Sequence, residues 1–250
     1  MGKVRKMAAA GARILEVENF GADPSVDERV LEMLSQAREA RADTAILVSN
    51  YLYSPDGMRG AETFPHFIDA DAGLLRLDHV FVPAGSGALA RAMATGFAHP
   101  AVTLKPAVHL VQPEGCDTIA TSLRQGREDG VVLKRAETAV TGLKVPFLLD
   151  VAPVIAMARA SGGTGFVGSD SEIYQAQARL AREEGMLAEP AAAASVMGAL
   201  KAVEEGIVRQ GDVVICLITG SAFNDEEAFE RMTAGNLPER ISVEALAEHV

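Results

Sequence analysis

The stretch that decides the fold is "HVFVPAGSGALARAMATGF", His79 to Phe97. A short apolar run passes into a burst of small residues, and an alanine-rich segment with helical spacing follows. Strand, glycine turn and helix in that order open a βα unit of a parallel sheet. Such a turn gathers backbone N–H groups at the positive end of a helix dipole, which makes Gly85, Ser86, Gly87, Ala88 and Leu89 a candidate anion cradle. Ser86 could add a hydroxyl donor, and Arg91 is the nearest cation in the chain. Any tight strand-to-helix turn also needs small residues for packing, so the glycines alone leave the owner of the anion open.

Gly85-x-Gly87-x-x-Ala90 also fits the dinucleotide fingerprint in its Gly/Ala form, so an NAD(P)-binding Rossmann protein is one alternative. Two features count against it. The following strand candidate ends at Gln112 instead of an acid, with Glu114 the only substitute, and the motif sits on the third strand candidate instead of the first. Neither GxSxG nor HExxH occurs, and the five histidines (His66, His79, His99, His109 and His249) show no metal-ligand spacing.

Outward from this unit, short β-branched runs alternate with amphipathic helical segments, which predicts an α/β protein with a mostly parallel sheet in a three-layer αβα arrangement. Strands are expected at 13–18, 44–49, 79–84, 107–112 and 212–219. Ser169 and Glu172 have capping-box spacing before a helix that Gly185 ends, and Pro190 and Gly206 bracket the next. Residues 50–73, rich in Pro, Gly and aromatics, separate a smaller unit, 1–60, from a larger one, 61–250. Residues 113–146 read as irregular.

The chain of 250 residues is 48% hydrophobic, with a formal net charge of −11 and a pI near 5.0. That charge disfavours a nucleic-acid partner, whose phosphates call for clustered Lys and Arg. Cys116 and Cys216 lie apart without CxxC spacing, so neither a metal site nor a redox motif is expected, and both suit a reducing compartment. Asp150 interrupts the most apolar stretch and the first residues lack a signal-like apolar run, so a soluble, cytoplasmic protein with no membrane partner is expected.

Two further segments carry a resemblance. "VGSDSEIYQAQARLAREEGMLAEPAAAASVMGALKAVEEGIVRQGDVVICLITGSAFND", Val167 to Asp225, closely resembles the C-terminal part of threonine synthases and their relatives among the pyridoxal-phosphate enzymes of the tryptophan-synthase-β fold (fold type II). Asp170, Glu172, Gly185, Glu189, Pro190, Ala191, Thr219 and Gly220 fall in register with that family. "VFVPAGSGALARAMATGF" is similar to the family's phosphate-gripping loop, "HLVQPEGC" to a following strand, and "YSPDGMRGAETF", less closely, to an upstream segment. The resemblance implies pyridoxal 5'-phosphate as cofactor, with its phosphate at residues 85–89 and the Thr219 hydroxyl at the pyridine nitrogen. It implies elimination or replacement on a hydroxy-amino-acid derivative, without naming which small-molecule substrate.

The same resemblance calls for a Schiff-base lysine in an "SxKxR"-like context and an asparagine loop, both preceding the segments present here. The six lysines (Lys3, Lys6, Lys105, Lys134, Lys144 and Lys201) match none of this. Ala88, Ala222 and Asn224 also replace usual family residues. The expectation is therefore an N-terminally incomplete, truncated or split threonine-synthase-like lyase. A catalytically silent subunit that binds the cofactor or its phosphate is the alternative. A homodimer or a complementing N-terminal chain is the expected partner, and exposed apolar surface and a bare strand edge are expected without one.

Overall fold

The computed structural model describes residues 2–21, 23–71, 73, 75–146, 148–233 and 240–246. At its centre four parallel strands lie in the order β3-β2-β1-β4: β1 (His79–Pro83), β2 (Ala107–Pro113), β3 (Gly165–Gly168) and β4 (Val214–Cys216). His79 pairs in register with Ala107 of β2 and with Val214 of β4. Alternate side chains of a strand leave opposite faces, so β1 sends Val80 and Val82 one way and Phe81 the other.

The first face packs under α5 (Ala88–Ala98), α6 (Ala120–Arg124) and α7 (Val151–Ala160), through Met93, Phe97, Ile119, Leu123, Val154 and Ile155. The second packs against α8 (Asp170–Glu183) and α9 (Pro190–Glu204), through Phe166, Ile173, Ala176, Ala194 and Met197. Phe81, Phe97 and Phe166 are fully buried, and burial of a side chain of that size contributes about 1.5–3 kcal/mol. The alanines of α9 let it lie close to the sheet: a Cβ on Gly198 would run into Val111. These are the three expected layers.

Local punctuation follows the sequence. The Ser169 side chain accepts from the Glu172 N–H while Glu172 accepts from the Ser169 N–H, a complete capping box. Gly185 and Gly206 take φ of +67° and +70° at the ends of α8 and α9, a region that L side chains rarely adopt. Residues 113–146 are largely irregular, with α6 and one 3-10 turn at Thr141–Leu143.

Two strand expectations fail. Residues 13–18 and 44–49 belong to no strand, because among the described residues neither lies beside one that would share a ladder. Leu15 at 73% and Leu47 at 90% exposure are left outward, while Ile46 is buried without strand pairing. The expected strand at 212–219 is ordered as strand only over Val214–Cys216, at one edge of the sheet. β3 is the strand not anticipated. Gly165 is a glycine because the backbone of Ala120 passes too close for a Cβ, and Gly163 because the Val108 carbonyl does.

The first part of the chain is helical: α1 (Gly2–Ala9), α2 (Pro24–Ala40), α3 (Pro55–Ala61) and α4 (Phe64–Asp71). Met58 of α3 and Tyr51 pack on Ala88 and Ala92 of α5, bringing residues 49–58 against the start of that helix. Two short helices, α10 (Glu226–Thr233) and α11 (Val243–Leu246), complete the described chain. No helix among the described residues is long and apolar enough to cross a membrane.

Candidate active site

Parallel α/β sheets present ligand sites beyond the carboxyl ends of their strands, and the glycine turn lies there, between β1 and α5. Gly87 is the N-cap of α5 with φ +81°, a conformation that favours glycine. A Cβ at that position would stand 2.6 Å from Val154 Cγ1, and one at Gly85 would stand 2.8 Å from Val145 Cγ2. Both glycines are therefore required, one by conformation and space, the other by space. The first N–H groups of α5 have no acceptor within the helix, so they face outward with the positive end of its dipole.

Gln112 explains how the turn is held. Its Nε2 donates to the Gly85 carbonyl at 3.1 Å and to Thr118 Oγ1 at 3.2 Å, while its Oε1 accepts from the Ile119 and Ala120 N–H groups at 2.8 and 2.7 Å. The residue is fully buried with its amide engaged at both ends. It is a buttress and has nothing left for a ribose hydroxyl, and Glu114 is exposed. The dinucleotide alternative loses its acidic partner on this geometry.

Two adjoining cavities open over the turn. One of about 240 Å³ is bounded by the whole run Pro83–Leu89 and by Val48, Ser49 and Asn50. The second, about 500 Å³, is shared by Gly85, Leu89, Ser49, Glu189 and Thr219. Gly85 through Leu89 all line the smaller cavity, and Thr219, exposed just beyond β4, lines the larger one together with Gly85 and Leu89, whereas Ser86, Gly87 and Ala88 reach only the smaller. Ser86 Oγ is 3.4 Å from the Ser49 carbonyl, which tethers the 48–50 segment across the turn.

Two participants were not read from the sequence, and a third, Glu189, was read only as falling in register with the family. Asn50, buried at 1% exposure, lines the smaller cavity together with the glycines. Gly142 joins both cavities from the irregular region. Glu189 caps α9, donates its N–H to the Gly220 carbonyl at 2.9 Å, and lays its carboxylate against Gly220, where a Cβ would force that side chain to shift. Its carboxylate pairs with Lys3 at 3.2 Å, and Lys3 lines a neighbouring 330 Å³ pocket that shares Gly142, Glu189 and Ala191 with the larger cavity.

The other lysines are occupied elsewhere. Lys105 caps the far end of α5 through the Phe97 and His99 carbonyls, Lys201 pairs with Glu172 at 2.9 Å, and Lys6 donates to Asn224. Lys134 is exposed and Lys144 half-buried, and neither lines the two cavities. Arg91 does not turn to the anion site: it lies over the Tyr51 ring at 3.9 Å and near Asp150 at 3.8 Å. Burial pushes the Cys116 and Cys216 thiols up to about 11, which makes poor nucleophiles of both. Among the described residues no cluster of His, Cys, Asp and Glu could hold a metal, and His249 lies outside them.

A glycine-walled helix N-terminus, neutral donors and a hydroxyl at one cleft fit a phosphorylated ring cofactor. The comparisons agree. The family of pyridoxal-phosphate dependent enzymes matches residues 1–220, and the chain belongs to that family, whose cofactor is pyridoxal phosphate. More narrowly, it is similar to threonine synthases: 28% identical over 233 residues to that of Methanocaldococcus jannaschii, covering 91% of this chain and 55% of the relative. For that of Methanosarcina acetivorans the figures are 27% over 232 residues, 91% and 55%. The chain therefore spans about half the length of these curated relatives. In fold it is similar to a mutant of O-ureido-L-serine synthase (TM-score 0.65, 19% identity, 99% of this chain, 68% of the other) and to maize serine racemase (TM-score 0.65, 19% identity, 95% and 68%). These likenesses support the fold type II architecture.

Proposed function

We propose that these residues hold pyridoxal 5'-phosphate, the phosphate in the cradle of Gly85, Ser86, Gly87, Ala88 and Leu89 and the ring nitrogen at Thr219, as part of a threonine-synthase-like lyase. The observation that carries this is the larger cavity, in which Thr219 meets Gly85 and Leu89 of the cradle, adjoining the smaller one that the whole cradle lines. When bound, the cofactor supplies the electron sink that stabilises a carbanion at the α-carbon of an amino acid. Gly85 and Gly87 keep side chains out so that the anion meets backbone N–H groups directly. Met58 and Leu89 give one side of the cleft an apolar lining that limits water there. Thr219 presents a neutral hydroxyl, which forms a hydrogen bond without imposing a charge, and that suits elimination or replacement on a hydroxy-amino-acid derivative over transamination. Residues 1–60 and 61–250 would be parts of the family's small and large units, with α3 straddling the junction. The unpaired segments at 13–18 and 44–49 support that division.

No lysine lines the two cavities among the described residues, and this supports a chain that holds the cofactor without bonding to its aldehyde. A catalytic cycle would then need an amine from outside these residues. The silent cofactor-binding subunit is the second reading favoured by the same observation. Borohydride reduction with one equivalent of cofactor, followed by peptide mapping, tests this. No pyridoxyl adduct is expected on any of the six lysines. An adduct would refute the proposal, and Lys3, beside Glu189, is the position to watch.

A further inference from the structure

We infer that Asn50 donates its side-chain amide to the phosphate held at the N-terminus of α5. The inference rests on the phosphate cradle proposed above and adds a residue from a separate segment of the chain. Asn50 is 1% exposed, and its Nδ2 is buried without a hydrogen-bond partner. Its Oδ1 accepts from the Leu52 N–H at 2.7 Å, which fixes which end of the amide is oxygen and leaves the two Nδ2 protons unused. The backbone is equally fixed, with Asn50 N–H donating to Val48 and its carbonyl accepting from Ser54. A buried amide donor without a partner is costly, and native folds keep one where a ligand completes it.

The chemistry of the cavity selects the ligand. Asn50 lines the same 240 Å³ space as Gly85, Ser86 and Gly87, and among the described residues no charged side chain lines it. Backbone N–H groups of the turn and the carboxamide of a separate segment offer several donors to one cavity, which matches the several terminal oxygens of a phosphate monoester. With only neutral donors in the wall, binding should change little with ionic strength, unlike a site built on Lys or Arg. Free phosphate and the phosphate of the cofactor share this chemistry, so both serve as probes.

Asn50→Asp is the informative variant, because it keeps the acceptor for the Leu52 N–H and removes the donor. Asn50→Ser is the second, since a hydroxyl can serve the same turn but is too short to reach across the cavity. Calorimetric titration with pyridoxal 5'-phosphate, pyridoxal and inorganic phosphate, with thermal melts to verify folding, gives the readout. We expect both variants to bind pyridoxal 5'-phosphate and phosphate roughly 10- to 100-fold more weakly than wild type, with pyridoxal unaffected and phosphate competing with the cofactor. Wild-type affinity in both variants would overturn the role of Asn50 and leave the cradle standing. A loss for the cofactor with none for phosphate would overturn it too, by moving the amide's contact to the ring. If wild-type protein binds neither phosphate nor cofactor, the cradle itself falls and Asn50 with it.

Discussion

Replacing His109 with glutamine should remove a defined share of the protein's acid sensitivity. His109 is 1% exposed in β2, stacked on Phe81 at 4.7 Å and edge-on to Phe166 at 5.5 Å. The Thr164 N–H donates to its Nδ1 at 3.1 Å, so the proton of the neutral ring sits on Nε2, 3.0 Å from His79 Nδ1. His79 Nε2 in turn faces Asp212 at 3.4 Å, with Arg76 and Asp78 at the rim. Burial, with a smaller contribution from His79, lowers the His109 pKa from 6.5 to about 4. The unfolded chain therefore binds more protons than the folded one between those values, and stability falls as the pH falls through that window. Linkage puts the loss at about 0.8 kcal/mol by pH 6, about 2 by pH 5 and about 3 by pH 4. Urea unfolding from pH 7.5 to 4.5 measures it. His109→Gln can keep a donor and an acceptor, so its stability should fall less steeply by these amounts; acidic groups common to both proteins cancel. Parallel curves for the two proteins would refute the reasoning.

Other consequences are as direct. Gly87→Ala meets a left-handed backbone and Val154 at 2.6 Å, so urea unfolding should show a loss of about 2–4 kcal/mol, and cofactor affinity should fall with it; a neutral substitution would show the turn to be less constrained than described. Ser169→Ala removes one half of the capping box of α8 and should cost about 1 kcal/mol, whereas exposed Ser171→Ala should stay within about 0.5 kcal/mol in the same assay.

What the sequence discloses depends on whether a feature is set locally. β1 and β2 are legible because strands buried on both faces read as near-continuous apolar runs, and α8 and α9 because their caps are chemical signals in the chain itself. β3 is illegible: four residues bounded by glycines become a strand by pairing with Leu110–Pro113 of β2, and Gly165 is there because the Ala120 backbone leaves no room for a side chain. Residues 13–18 and 44–49 mislead for the complementary reason. They carry strand-like patterns, but a strand is a pairing, and the partner is not encoded in the segment. The site divides in the same way. Gly85–Leu89 form a contiguous motif and Thr219 ends an apolar run, whereas Asn50, Gly142 and Glu189 reach the cleft from three separate segments. Gln112, read as an absent acid, is the residue that fixes the Gly85 carbonyl.

The central claim is that the phosphate of pyridoxal 5'-phosphate sits on the backbone of Gly85–Leu89 with the ring toward Thr219. Titration of ¹⁵N-labelled protein with the cofactor, followed by amide chemical shifts, tests it most directly. The account predicts the largest changes at Gly85 through Leu89, with a second group at Thr219 and Gly220, and loss of the first group alone when pyridoxal replaces the phosphate ester. Shifts confined to the pocket of Lys3 and Arg231, or saturable binding that leaves the amides of residues 85–89 unmoved, would contradict it.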